Sequence, residues 1–159
     1  MSIIAKMSNS LHSVYFGKNW TGSDFSTHLT DVTWEQATAQ VYDFNTIATL
    51  VYHAHYYVTA LINVLEGNPL NAKDEYSFHH PVIRNQADWE AMLGEVWAEA
   101  EKATLLIAQL PEKTLEEIFA DPKYGDYYRN IQGTIEHLHY HLGQIVLIKK
   151  IILEDANDK

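Results

Sequence analysis

The sequence predicts an all-α protein built as a four-helix bundle, with its functional residues between the second and fourth long helices. Three observations predict it. Four long segments repeat apolar residues at helical spacing, the first three of them stop at Gly or Pro, and no segment alternates at strand spacing between turn signals. The 159 residues suit a single domain spanning 1–159, and an apolar fraction of 47% supplies a core. Charged residues at 20% and only four prolines argue against disorder.

The first helix is expected over about Ile3 to Phe16, with Ile4, Met7, Leu11 and Tyr15 on one side and Gly17 as its stop. An irregular stretch follows. Within it, Thr33 and Gln36 have capping-box spacing and start a short helix. The second long helix, about Phe44 to Glu66, ends at Gly67, Asn68 and Pro69. The third spans about Ala87 to Leu110, buries Trp89, Met92, Leu93, Val96, Ala100, Ala103 and Ile107, and is closed by Pro111. The fourth runs from about Arg129 to Leu153 before a charged tail. The connections are longer than tight up-down loops require, so a crossover or loops covering one end of the bundle are expected. The second helix is apolar nearly all round, Val51, Val58 and Ile62 included, which predicts a homodimer interface there.

Several function classes fall away on composition. A net charge of -10, with 11 scattered Lys and Arg, offers no basic patch for nucleic acid. No run approaches the ~20 apolar residues of a membrane span. The N-terminus lacks a long apolar core and cleavage site, so a cytoplasmic location is the default. Without cysteine there is no disulfide, thiolate ligand or cysteine nucleophile. Nine histidines are the compositional oddity.

Three of them alternate in "IEHLHYHLGQI", at His137, His139 and His141. On a helix, His141 lies about 40° from His137 and Gln144 about -20°, whereas His139 lies about 200° away. Asn130, Thr134, Ile145 and Ile148 share the arc of His137 and His141, so that pair faces the core. On the second helix, His53 lies on an inward stripe with Thr46, Thr49, Leu50, Tyr57, Ala60 and Val64, and His55 points away. Two imidazoles four residues apart can ligate one metal ion, or can simply sit hydrogen-bonded in a polar core layer. A third inward imidazole favours the metal, because one divalent cation satisfies three buried rings at once.

The fourth-helix run His-x-x-x-His-x-x-Gln resembles the signature of the DinB/YfiT-like metalloenzyme family, the damage-inducible four-helix-bundle proteins rather than the DNA polymerase of similar name. The second-helix stretch "TIATLVYHAHYYVTALINVLEG" resembles that family's second helix, and "VYFGKNW" with "LTDVTWEQA" resembles one of its branches. The resemblance implies a metal held by one histidine of the second helix and two of the fourth, here His53, His137 and His141. Leu142 departs from the pattern, which often has a basic residue before Gly-Gln. Family members vary in ligands, and some have lost the metal.

Three neutral imidazoles leave a cation its full charge and an open position, the arrangement of catalytic rather than structural sites. A water or thiol there would be acidified. The resemblance implies a low-molecular-weight-thiol-dependent S-transferase or isomerase, acting on a small thiol or electrophile; the alternative is a stress-response or structural metal-binding module without catalysis. Imidazole ligands suit zinc, nickel, copper and iron, manganese stays open as well, and availability favours zinc. Gln144 and Tyr57 are candidates for orienting a bound group, and Asn130 and Thr134 for lining the mouth. No inward Glu or Asp adjoins the ligands on either helix, so no general base is evident. His79 and His80 read as a surface or lid segment, with a minor claim as extra ligands. Glu95, Glu99 and Glu101 read as a solvated face.

Overall fold

A computed structural model describes residues 1–157. Among them are six α-helices: α1 (Ile3–Phe16), α2 (Phe25–Leu29), α3 (Trp34–Thr38), α4 (Ile47–Leu65), α5 (Gln86–Ala108) and α6 (Tyr127–Asn157). Short 3-10 turns lie at Asp74–Tyr76, Glu112–Glu116 and Pro122–Tyr124. The described residues hold no strand, only an isolated bridge between Ile118 and Asp126. None of their helices is long and apolar enough to cross a membrane.

The described residues form six helices rather than a plain four-helix set: the four long ones and the short α3 expected after Thr33 are present, and α2 is additional. The capping box at Thr33 starts α3 as read: the Thr33 N–H donates to Gln36 Oε1 and the Gln36 N–H to Thr33 Oγ1. The helix α2 was missed because it is one turn long. Asp24 caps it through the Thr27 N–H, and Phe25 and Leu29, one turn apart, bury its single apolar edge.

Caps also set the ends of the long helices. Thr46 accepts from the Thr49 N–H, so α4 starts at Ile47 rather than at Phe44, which stays exposed. Asn85 caps α5 through the Asp88 N–H. Asp126 accepts from the Arg129 N–H ahead of α6, which runs on to Asn157 because nothing in the charged tail breaks a helix.

The long helices pack in a ring: α1 lies against α5 and α6, and α4 lies against the same two. The core faces read from the sequence are the buried ones on α1 and α5. On α6, Ile131, Ile135, Leu138, Leu142, Ile145 and Ile148 are buried. The apolar back of α4 needs no second copy of the chain. Val51, Val58 and Ile62 are buried among this chain's own residues, so the expected dimer loses the surface on which it rested.

The 66–85 connection is tied down over α4. The Lys73 N–H donates to the Tyr56 hydroxyl, the Tyr57 hydroxyl to the Asp74 carboxylate, and Ser77 is fully buried. This long connection packs along the middle of α4, and it brings residues there that helical periodicity cannot see.

Candidate metal centre

Because α4 and α6 are neighbours, the inward stripe of one meets the inward stripe of the other. His53 comes from the middle of α4, and His137 and His141 come from successive turns of α6. The Nε2 atom of His137 lies 3.3 Å from Nε2 of His53 and 3.0 Å from Nε2 of His141. Each of the three offers a ligand atom, and these atoms all lie within 4.8 Å of one another, so the group could hold a metal ion. Four tetrahedral nitrogens at the usual zinc–histidine bond length would stand about 3.3 Å apart. Both nitrogen pairs that include His137 are therefore close to ligand spacing, and the third pair lies within 4.8 Å.

Neighbouring groups orient two of the rings. Ser77 Oγ donates to the Asp74 carbonyl, 2.6 Å away, so it accepts from His53 Nδ1–H at 2.8 Å. Gln144 Oε1 accepts from His141 Nδ1–H at 2.7 Å. With Nδ1 protonated, a neutral imidazole carries its lone pair on Nε2, facing the cluster. Phe78 stacks on His53 with ring centres 4.0 Å apart, and Tyr57 meets His137 edge-on at 4.8 Å.

His137 is the ring left over. Its Nδ1 is buried without a hydrogen-bond partner. In the metal-free protein a proton on its Nε2 can bridge to one neighbouring lone pair, leaving the other facing it unmatched. A cation where the three Nε2 atoms converge would satisfy all three, so the donor set fits a divalent metal.

Burial lowers the pKa of all three imidazoles, and the neighbouring rings add to it for His53 and His137; His137 falls furthest, to about 4. The unfolded chain takes up these protons near pH 6.5, the fold only at lower pH. Between those values the unfolded state binds more protons, so stability rises with pH. Metal-free protein is expected to lose stability progressively as pH falls from about 6.5 toward about 4. Thermal unfolding in chelator across that range checks this, with a shallower fall expected for His137→Gln. An equally steep fall in the variant would contradict it.

The other histidines go elsewhere. His55, two residues from His53, is buried on the far side of α4, where its Nδ1 accepts from the Tyr15 hydroxyl and its Nε2–H donates to Glu99, both at 2.9 Å. This corrects the reading of Glu99 as solvated: it is partly buried, and its bonds to His55 and Thr59 hold its carboxyl below the usual range. His139 points away, beside Asn9 and Ser10 of α1. His79 is exposed and His80 turns its Nδ1–H to the Pro81 carbonyl; neither joins the cluster.

Of the expected neighbours, Gln144 bonds a ligand candidate directly, and Tyr57, Asn130 and Thr134 line a cavity of about 360 Å³ beside the imidazoles. A second cavity, about 330 Å³, opens on the Gln144 side. Sequence reasoning missed Asp74, Ser77 and Phe78, all from the loop over α4. The run "DEYSF" carried no helical period that would aim them; the one available hint was the length of the connection. Asp74 supplies the carboxylate that neither helix provides.

Outer partners that hold a ligand's second nitrogen usually matter to metal affinity by about 10–100-fold. Ser77→Ala and Gln144→Ala are each expected to weaken metal binding by about that factor, measured by competition with a chromophoric chelator. Wild-type affinity in both would show that the two bonds do not orient the rings.

A family model described as the DinB superfamily matches residues 19–145, a span that includes α2 to α5 and α6 as far as both of its inward histidines. No curated protein matches the chain, and no solved structure does.

Proposed function

Because the chain belongs to the DinB superfamily, we propose that His53, His137 and His141 bind one divalent metal ion, most readily zinc, and that the protein is a metal-dependent enzyme acting on a small thiol or an electrophile beside it, as an S-transferase or isomerase. The observation that carries this reading is the grouping of three imidazole nitrogens, with His137 Nε2 at 3.3 Å from His53 Nε2 and 3.0 Å from His141 Nε2 and all three ligand atoms within 4.8 Å, and with two Nδ1 protons held outward by Ser77 and Gln144.

Bound there, the ion would supply Lewis acidity, lowering the pKa of a thiol or water presented to it. The chain's own residues do the rest. Ser77 and Gln144 fix the tautomers that aim His53 and His141 inward. Phe78 covers the face of His53 and keeps solvent from it. Tyr57 and Asp74, hydrogen-bonded to each other, stand between the imidazoles and the 360 Å³ cavity and position a substrate lying in it. Three protein ligands rather than four, next to a cavity of ligand size, favour this over a purely structural ion.

Metal analysis of protein purified without a histidine tag is the test. One divalent ion per chain is expected, followed by metal-dependent consumption of a small thiol in the presence of electrophilic acceptors. Folded protein that takes up neither zinc nor nickel would overturn the metal site. Protein that holds the ion, unfolds on chelation and consumes no thiol would instead be a structural metal-binding module.

A further inference from the structure

The polar groups lining the cavity beside the imidazoles have mostly spent their protons inside the protein. The Tyr57 hydroxyl donates to the Asp74 carboxylate, and Thr134 Oγ1 donates to the Asn130 carbonyl at 2.8 Å. Both protons of the Asn130 amide are used, on the carbonyls of Tyr124 at 3.1 Å and Asp126 at 2.7 Å. What remains is a set of acceptors: the second oxygen of Asp74, Asn130 Oδ1, and lone pairs on Thr134 and Tyr57. The Tyr124 hydroxyl is the exception. Among the described residues lining the cavity, Asp74 alone is charged, and Leu61, Leu70 and Phe119 supply apolar wall.

A cavity of acceptors, one of them anionic, with apolar walls selects by sign. A carboxylate ligand would meet Asp74 without gaining donors, and an ammonium brings three donors and the opposite charge. The volume of about 360 Å³ falls in the range of small-molecule sites. We infer that this cavity takes a ligand with an apolar body and a protonated amine, and that Asp74 is the residue selecting the amine. The inference rests on the proposed function only in taking the cavity as that enzyme's substrate site; the selectivity itself needs no metal.

The probes are 2-phenylethylammonium and 3-phenylpropionate, matched in ring and opposite in charge, titrated into metal-free and zinc-treated protein and followed by backbone amide shifts. The ammonium is expected to bind at least about tenfold more tightly, moving the amides of Ala60, Leu61 and Thr134, and Asp74→Asn is expected to bring the two probes within about twofold of each other. Circular dichroism checks that the variant is folded. Equal binding, preference for the carboxylate, shifts mapping elsewhere, or an undiminished preference in folded Asp74→Asn would each overturn the inference. Metal uptake without charge selectivity would sink this inference and leave the proposed function; selectivity without metal uptake would do the reverse.

Discussion

A His137→Ala variant is expected to bind zinc at least about a hundredfold more weakly than the wild type, since even an outer partner of a metal-ligating histidine is worth about 10–100-fold. His137 is the ring that links the cluster, with Nε2 contacts running to both of the other imidazoles. Removing it leaves His53 and His141 as two ligands. A metal bound to the fold alone stabilises it by mass action, about 4 kcal/mol at a thousandfold excess over Kd. Zinc should therefore raise the melting temperature of the wild type much more than that of His137→Ala. His139→Ala serves as the control, because His139 points to the far side of α6 and should bind zinc like the wild type. A His137→Ala protein with wild-type affinity, or a His139→Ala protein that loses the metal, would refute the assignment.

The second large effect concerns stability. His55→Ala is expected to cost about 2–4 kcal/mol while leaving one metal per chain. His55 joins three helices: it accepts from Tyr15 of α1, sits on α4, and donates to Glu99 of α5. Truncation strands the Tyr15 hydroxyl, on a residue with no exposed surface, and opens a cavity beside it. Burial and the Glu99 charge already push the Tyr15 pKa well up, so the hydroxyl keeps its proton and needs an acceptor. Because Glu99 is partly exposed, water takes over part of the lost bond, which holds the cost below that of a fully buried pair. Chemical denaturation with and without zinc measures both quantities. A cost under about 1 kcal/mol would show that the network contributes little to the fold.

Two histidines separated by one alanine thus carry unrelated duties, and the helical period alone divides them. His53 and His55 stand about 200° apart on α4, one toward α6 and the other toward α1 and α5. The same geometry separates His139 from its neighbours on α6. Periodicity could separate these rings because both helices are long and regular, so that residues two apart along them point to opposite sides. It could not judge Glu99, whose place on a mostly polar surface of α5 looked solvated until His55 and Thr59 arrived from α4. Nor could it judge the back of α4, where an all-round apolar surface suggested a second chain and the first chain's own helices cover it.

Taken by itself, the sequence determined the four long helices, the buried faces of α1 and α5 and the choice of His53, His137 and His141 from nine histidines, because a repeat of 3.6 residues converts order along the chain into direction. Only the tertiary structure decided what surrounds them. Ser77, Phe78 and Asp74 reach the imidazoles from a connection with no period of its own. Their positions depend on how the loop is pinned to Tyr56 and Tyr57, which is a matter of contacts between residues distant in the chain.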